Sequence, residues 1–329
     1  MIIETPSRLH VTLIDLNGKY GRIDGGVGIT TRTPRLTLEV NDGYEDVQVE
    51  FPHSEVSKDT VQDYQEKIYS ATHKVNEYLG LNEGYHFKLR EIFPAHSGLG
   101  SGTQVSLAVA KLILEMNDHD LSVPKMAEIV GRGGTSGIGT GSFEKGGFIV
   151  DGGHKSLNKK GFLPSSASKA SPPPIIARYE FPQDWKIIMA IPHVKSKVFG
   201  DGEVNIFQEY CPIPLVEVEK LVHLIFMKMM PAVIEGDLDI FGDAINSIQS
   251  IGFKKIELKL QNKFIKELME NLRQAGAAGV GMSSFGPTVY AITDTNSKDI
   301  CRAAQDSMKD KDGAIILTTA QNSGAQIYK

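Results

Sequence analysis

Residues 94–104, Pro-Ala-His-Ser-Gly-Leu-Gly-Ser-Gly-Thr-Gln, place glycine at every second position of a turn between two strongly patterned segments. Before the turn, residues 85–90 alternate apolar Tyr85, Phe87 and Leu89 with polar His86, Lys88 and Arg90, the period of a strand. After it, Val105, Ala108, Val109, Leu112 and Ile113 have helical spacing. A glycine-rich turn between strand and helix presents backbone N–H groups beside a helix N-terminus, which suits a phosphate or diphosphate. Gly98, Gly100 and Gly102 let a ligand approach the backbone, Leu99 and Gln104 complete the loop, and Ser101 or Thr103 is expected to cap the helix. A glycine turn with no ligand is the plainer alternative.

The rest of the pattern extends this start to an α+β fold. Strands are expected at 9–16, 26–31, 35–40 and 47–51, a helix at 61–79 stopped by Gly80, and a helix from Ser122-Val123-Pro124 to Gly131. An apolar strand at 148–150 precedes a serine- and proline-rich connection over 154–174. In the second half, a strand at 185–191 leads to a helix at 215–233. Its stripe of Leu221, Val222, Ile225, Phe226, Met229 and Met230 reads as core. A helix at 263–274, strands at 280–284 and 288–293, a helix at 297–309 and a strand at 314–319 follow. Strand–helix–strand–strand–helix–strand is the split βαβ, ferredoxin-like arrangement. A chain of 329 residues implies about two domains, placed at 1–178 and 179–329.

Composition excludes several classes of function. A net charge of −5 argues against a nucleic-acid binder. Two distant cysteines, Cys211 and Cys301, argue against a disulfide scaffold or a thiolate zinc site and fit a reducing cytoplasm. No apolar run approaches the ~20 residues of a membrane helix, and the N-terminus lacks a signal-peptide pattern.

Four polar, glycine-dense segments stand out from the apolar background. In 6–18, Arg8, His10 and Thr12 share one strand face, and Asp15 follows. In 21–28, Asp24 sits among four glycines. The stretch 131–153 carries Arg132, Ser136 and Asp151, and 283–288 carries Ser284 and Gly286. Two amide-rich surfaces with arginine fit a ligand bearing two phosphate groups. Solvent-facing strands, turn aspartates and an ordinary hairpin are the plainer readings.

Together these motifs resemble the GHMP superfamily of small-molecule kinases, whose nucleotide-phosphate loop would match 94–104. The resemblance implies a two-domain GHMP-type fold. The phrases PSRLHVTLIDLNG, GRIDGGVGI, PAHSGLGSGTQ, GRGGTSGIGTGSFEKGGFIVDGGH and SSFGPT are more closely similar to a GHMP-fold family of archaeal β-ribofuranosylaminobenzene 5′-phosphate synthases. Many GHMP kinases carry an aspartate that acts on the substrate hydroxyl where this chain has Gly139. The likeness implies a pentosyltransferase of tetrahydromethanopterin biosynthesis. It would join 5-phosphoribosyl-1-diphosphate to 4-aminobenzoate or 4-hydroxybenzoate with loss of diphosphate and CO₂, as a Mg²⁺-dependent cytoplasmic homodimer. An ATP-dependent kinase and a non-catalytic phosphate-ligand binder are the alternatives.

On this reading the catalytic candidates are Arg8, His10, Asp24, Arg132 and Asp151. The phosphate is bound by Gly98, Leu99, Gly100, Ser101, Gly102, Thr103, Gln104, Ser136, Ser284 and Gly286. Magnesium candidates are Asp15, Asp24 and Asp151. Arg8, Arg22 and Arg132 would clamp phosphate or carboxylate, since guanidinium matches both bidentately. His10 and His96 would donate to phosphate.

Overall fold

The computed structural model describes residues 1–329 except 53–55, 95–96, 160, 166 and 194–200. The chain opens with two long antiparallel strands, β1 (Ile2–Asp15) and β2 (Arg22–Tyr44). There follow β3 (Gln48–Glu50), α1 (Lys58–Leu79), β4 (Gly84–Glu91), α2 (Ser101–Met116), α3 (Val123–Val130), α4 (Ile138–Glu144), β5 (Phe148–Asp151), β6 (His154–Lys155) and β7 (Ile175–Tyr179). The second half runs β8 (Lys186–Pro192), α5 (Asp201–Tyr210), α6 (Leu215–Leu224), a π-helical turn (Ile225–Met229), α7 (Met230–Glu235), α8 (Leu238–Ile248) and α9 (Gly252–Lys259). It closes with α10 (Lys263–Gln274), β9 (Gly279–Met282), β10 (Val289–Thr293), α11 (Ser297–Ser307), β11 (Gly313–Thr319) and β12 (Gln326–Tyr328).

Local chemistry sets most boundaries. Ser57 caps α1 by accepting from the Thr60 N–H, and Gly80 ends it in the left-handed region. Ser122 and Gly131 do the same for α3. The strands expected at 26–31 and 35–40 are one strand, β2. Its pairing with β1 jumps from Pro6 opposite Arg35 to Ser7 opposite Thr31, so the intervening residues are absorbed as an irregularity of the ladder instead of ending it.

The large sheet is ordered β12-β1-β2-β4-β3, with β5 and β6 pairing β2 and β7 pairing β5. Apolar faces of α1, α2 and α3 cover it, with Tyr64, Ile68, Leu107, Ile113, Tyr85 and Phe87 fully buried. The smaller sheet is antiparallel, β11-β8-β10-β9, and packs α10 and α11 through Ile265, Leu268, Leu272, Ile300 and Ala304. This is the expected split βαβ arrangement, with α5 to α9 added between its first strand and first helix. A third core lies between the two halves. It joins Leu9, Val11, Val27 and Ile29 to Ile187, Met189, Tyr290 and Ile292, with Phe241 and Trp185 among them.

The stripe expected to be core divides. Leu221, Ile225 and Met229, four residues apart along one row, are buried, whereas Val222 and Phe226 in the next row are exposed. The expected division at 178 is also crossed, because β12 pairs β1 and Ala320 bridges Thr31. The two halves are therefore stitched together by the C-terminus, and the face of β1 opposite Leu9 and Val11 opens into a cleft between them.

Candidate active site

The cleft is lined by Arg8, His10 and Leu13 of β1, Gly98 and Thr103 of the glycine loop and α2, and Thr135, Ser136 and Gly139 around α4. Glu203 and Phe207 of α5, Glu257 of α9, and Ser284 and Phe285 of the β9–β10 connection complete it. The polar face of β1 thus meets a ligand-sized cleft and not open solvent.

The loop is held by its carbonyls. The Gly98 carbonyl accepts from the Arg8 guanidinium and from Ser283 Oγ at 2.8 Å, the Leu99 carbonyl from the Arg8 N–H at 3.1 Å, and the Ser97 carbonyl from Thr288 Oγ1 at 2.6 Å. The expectation that Ser101 or Thr103 caps α2 is corrected. The N-cap is Gly100, at φ 88°, and no side chain among the described residues accepts from the first turn. Thr103 and Gln104 N–H groups bond the Gly100 carbonyl, which leaves the N–H groups of Ser101 and Gly102 without an intrahelical acceptor. A helix start in this state favours an anion. A Cβ on Gly98 would stand 2.7 Å from the Ser283 carbonyl, so this position accepts only glycine.

Other loop residues have structural work. Leu99 is buried in the central core. Gln104 is fully buried and donates to the Gly139 carbonyl at 2.8 Å, tying α2 to α4. Gly286 turns the β9–β10 connection behind the loop, its N–H bonded to the Ser283 carbonyl at 2.8 Å. Ser284, at φ 52°, donates its N–H to the His10 carbonyl at 3.0 Å.

Burial lowers the Arg8 pKa to about 10, so the guanidinium remains charged at neutral pH. His10 is different. Burial first, then the charges of Arg8 and Lys254, hold its imidazole well below its ordinary pKa, so it is neutral. Its Nε2 lies 3.3 Å from Ser136 Oγ, and its buried Nδ1 has no partner among the described residues. His10 can therefore offer a phosphate one neutral N–H but no charge. His96 lies outside the described residues.

The aspartates do not converge. Asp15 Oδ1 accepts from the Asn17 and Gly18 N–H groups at 2.8 and 2.9 Å and shapes the β1–β2 turn. Asp24, fully buried, holds Lys159 Nζ at 2.8 Å and His154 Nδ1 at 2.6 Å. Lys159 also reaches Thr135 Oγ1 at 3.2 Å, so this network props the loop before α4. Asp151 accepts from the Gly137 N–H at 2.8 Å, the Gly153 N–H at 3.0 Å and Ser136 Oγ at 3.1 Å. Burial nevertheless raises its pKa to about 6. Among the described residues no group of three or more His, Cys, Asp or Glu side chains could hold a metal ion. The magnesium candidates Asp15, Asp24 and Asp151 thus do not come together in one cluster, and the oxygens named here are engaged by backbone N–H groups, a hydroxyl or an ion pair.

Arg132 is not in the cleft. Its Nε donates to Ser106 Oγ at 3.1 Å, and its guanidinium and Lys67 flank Gly102 on the first turn of α2. Arg22 is spent on the Gly152 and Gly153 carbonyls, both at 2.7 Å.

The groups that sequence reading misses are Glu203, Lys254 and Glu257. Lys254 Nζ, fully buried, donates to the Met282 and Ser284 carbonyls at 3.1 Å each and pairs with Glu257. The i,i+3 spacing of Lys254 and Glu257 was visible, but an i,i+3 ion pair normally marks a solvent face. Glu203 and Phe207 are four apart on α5, and only the tertiary packing shows that this face meets the cleft.

Two family models match: the GHMP kinases N-terminal domain over residues 66–143 and the GHMP kinases C-terminal region over 229–310. The chain is 53% identical over its full length to a β-ribofuranosylphenol 5′-phosphate synthase of Methanothermobacter thermautotrophicus, covering 99% of that protein. It is 48% identical over its full length to the protein of the same name in Methanocaldococcus jannaschii, covering all of it. Among solved structures, mevalonate kinase of L. major aligns with a TM-score of 0.66 at 16% identity, covering 98% of this chain and 96% of that one. Homoserine kinase of Cytophaga hutchinsonii aligns at 0.65 and 14%, covering 99% and 96%. The kinase likeness establishes the fold, and the full-length identity establishes the closer kinship. The chain belongs to the β-ribofuranosylphenol 5′-phosphate synthase family, built on the GHMP kinase fold.

Proposed function

We propose that the protein is a decarboxylating pentosyltransferase that joins 5-phosphoribosyl-1-diphosphate to 4-hydroxybenzoate, giving a C-riboside 5′-phosphate, diphosphate and CO₂. The relatives are named for a ribofuranosylphenol 5′-phosphate, and a phenol product favours the hydroxy acid over 4-aminobenzoate. The observation that carries the reading is the composition of the cleft. It combines an uncapped helix start and a charged Arg8 with glycine at position 139, where many kinases of this fold carry an aspartate. A Cβ at Gly139 would stand 3.0 Å from Thr103, so this wall is packed for glycine. The cleft is equipped to receive a leaving diphosphate and lacks the kinase carboxylate that serves a hydroxyl.

In this mechanism the amides at 99–102 and Arg8 stabilise the charge that gathers on diphosphate as the anomeric C–O bond breaks. The ring carbon bearing the carboxylate attacks the anomeric carbon, assisted by electron donation from the para oxygen. The electron pair of the ring–carboxylate bond then returns to the ring as CO₂ leaves. We place Mg²⁺ on the diphosphate as part of the substrate, since no protein cage for it exists among the described residues.

The test is carboxyl-labelled 4-hydroxybenzoate with 5-phosphoribosyl-1-diphosphate and Mg²⁺. Labelled CO₂ and diphosphate are expected in equal amounts, and consumption of ATP without CO₂ would overturn the reading. A chelator should stop the reaction yet leave the thermal midpoint of the substrate-free protein unchanged; a fall would place the ion on the protein.

A further inference from the structure

Three carboxyl and imidazole groups lining the cleft are left unused by this mechanism. Glu257, on α9, is fixed by the buried Lys254. Glu203, on α5, lines the same cleft, and among the described residues no hydrogen bond or ion pair engages its carboxyl. His10, from β1, presents a buried Nδ1 that has no partner among the described residues. Phe207 and Phe285 line the cleft beside them, with Phe285 edge-on to Phe253 and Phe253 against Phe207. Aromatic walls beside an unpaired carboxyl suit a planar ring that bears a hydrogen-bond donor.

We infer that Glu203 is a catalytic base that holds the para-hydroxyl proton of the acceptor ring while the ring attacks ribose, with Glu257 and Lys254 as positioning residues. The inference rests on the synthase reading above and adds a group to it. The proton moves from the phenol oxygen to the Glu203 carboxylate as the ring carbon bonds to the anomeric carbon and diphosphate leaves with its electron pair. The resulting dienone is neutral at the para oxygen. When the C–CO₂ bond breaks, its pair restores the ring, and Glu203 returns the proton to the phenolate oxygen. Base and proton are regenerated, so the balance needs no further reactant.

The electrostatics agree with the geometry. Burial, then the charge of Glu257, raise the Glu203 pKa to about 7, near the optimum for a group that takes and returns a proton. Among the described residues, the other ionisable groups facing this region are Arg8 and His10 from β1 and Lys254 from α9. Glu217 of α6 is held by the Gly252 N–H and Lys255, and Lys259 lies over the Tyr210 ring. Because the ionised carboxylate is the active form, activity falls as pH drops through about 7.

Glu203→Gln tests the assignment, with CO₂ release as the readout and 4-hydroxybenzoate compared with 3,5-difluoro-4-hydroxybenzoate. The fluorinated phenol is ionised at the assay pH and needs no base. The variant is expected to lose about 10²–10⁴-fold in kcat with 4-hydroxybenzoate, with KM for 5-phosphoribosyl-1-diphosphate nearly unchanged and the acid limb gone. Its deficit relative to the native protein should shrink at least about tenfold with the fluorinated acceptor. Glu257→Gln removes the neighbouring charge and should move the acid limb to lower pH. Release within threefold of the native rate, an equal deficit with both acceptors, or an altered Mg²⁺ requirement with the acid limb intact would overturn the inference. Absence of CO₂ release from the native protein would instead overturn the synthase reading.

Discussion

Asp151 shows what position and environment do to a single carboxylate. Glycine-rich surroundings and an apolar strand made it a candidate for metal or catalysis, yet its oxygens accept from two backbone N–H groups and one hydroxyl. It locks Ser136 and Gly137 at the entrance to α4. An amide there must turn an NH₂ group toward a donor, so Asp151→Asn is expected to cost about 1–3 kcal/mol, read by urea unfolding. A stability equal to the native protein would contradict the structural role. Arg8 and His10 were legible because their strand period put them on one face. The failure of Asp24 to reach a ligand was not legible, since its partners Lys159 and His154 lie 130 or more residues away.

At the scale of elements, caps and periodicity revealed α1, α3 and α10 well, because those signals are local. Helix α10 runs over Lys263–Gln274 as its spacing predicts. Two strands are expected at 26–31 and 35–40, whereas pairing to β1 carries β2 through the intervening residues, a contact that lies outside the local pattern. The glycine loop was legible as a loop, but the carbonyl contacts that aim it come from β1 and the β9–β10 connection, far off in sequence. Gly100 is the most exacting point: it holds φ 88°, and a Cβ would stand 3.1 Å from Arg8. Gly100→Val therefore combines backbone strain with displacement of Arg8. Turnover is expected to fall about 10²-fold, comparable to losing one oxyanion donor, while circular dichroism remains native. Near-native turnover would remove the loop from the site.

At the scale of the molecule, the cleft is a product of two halves that neither could make alone. The first half supplies the loop, Arg8 and the α4 entrance; the second supplies Glu203, Glu257 and the serine connection. The C-terminal strand returns to β1 and closes the assembly. In the proposed reaction this division separates the handling of diphosphate from the handling of the acceptor, so that a kinase-type fold serves carbon–carbon bond formation without a kinase aspartate. The most direct test is the linkage in the product made from 5-phosphoribosyl-1-diphosphate and 4-hydroxybenzoate, determined by carbon–proton correlation NMR. The account predicts that ribose C1′ is bonded to the ring carbon that carried the carboxylate, in a product that survives acid treatment. A C1′–oxygen bond, cleaved by acid and with the carboxylate retained, would contradict it.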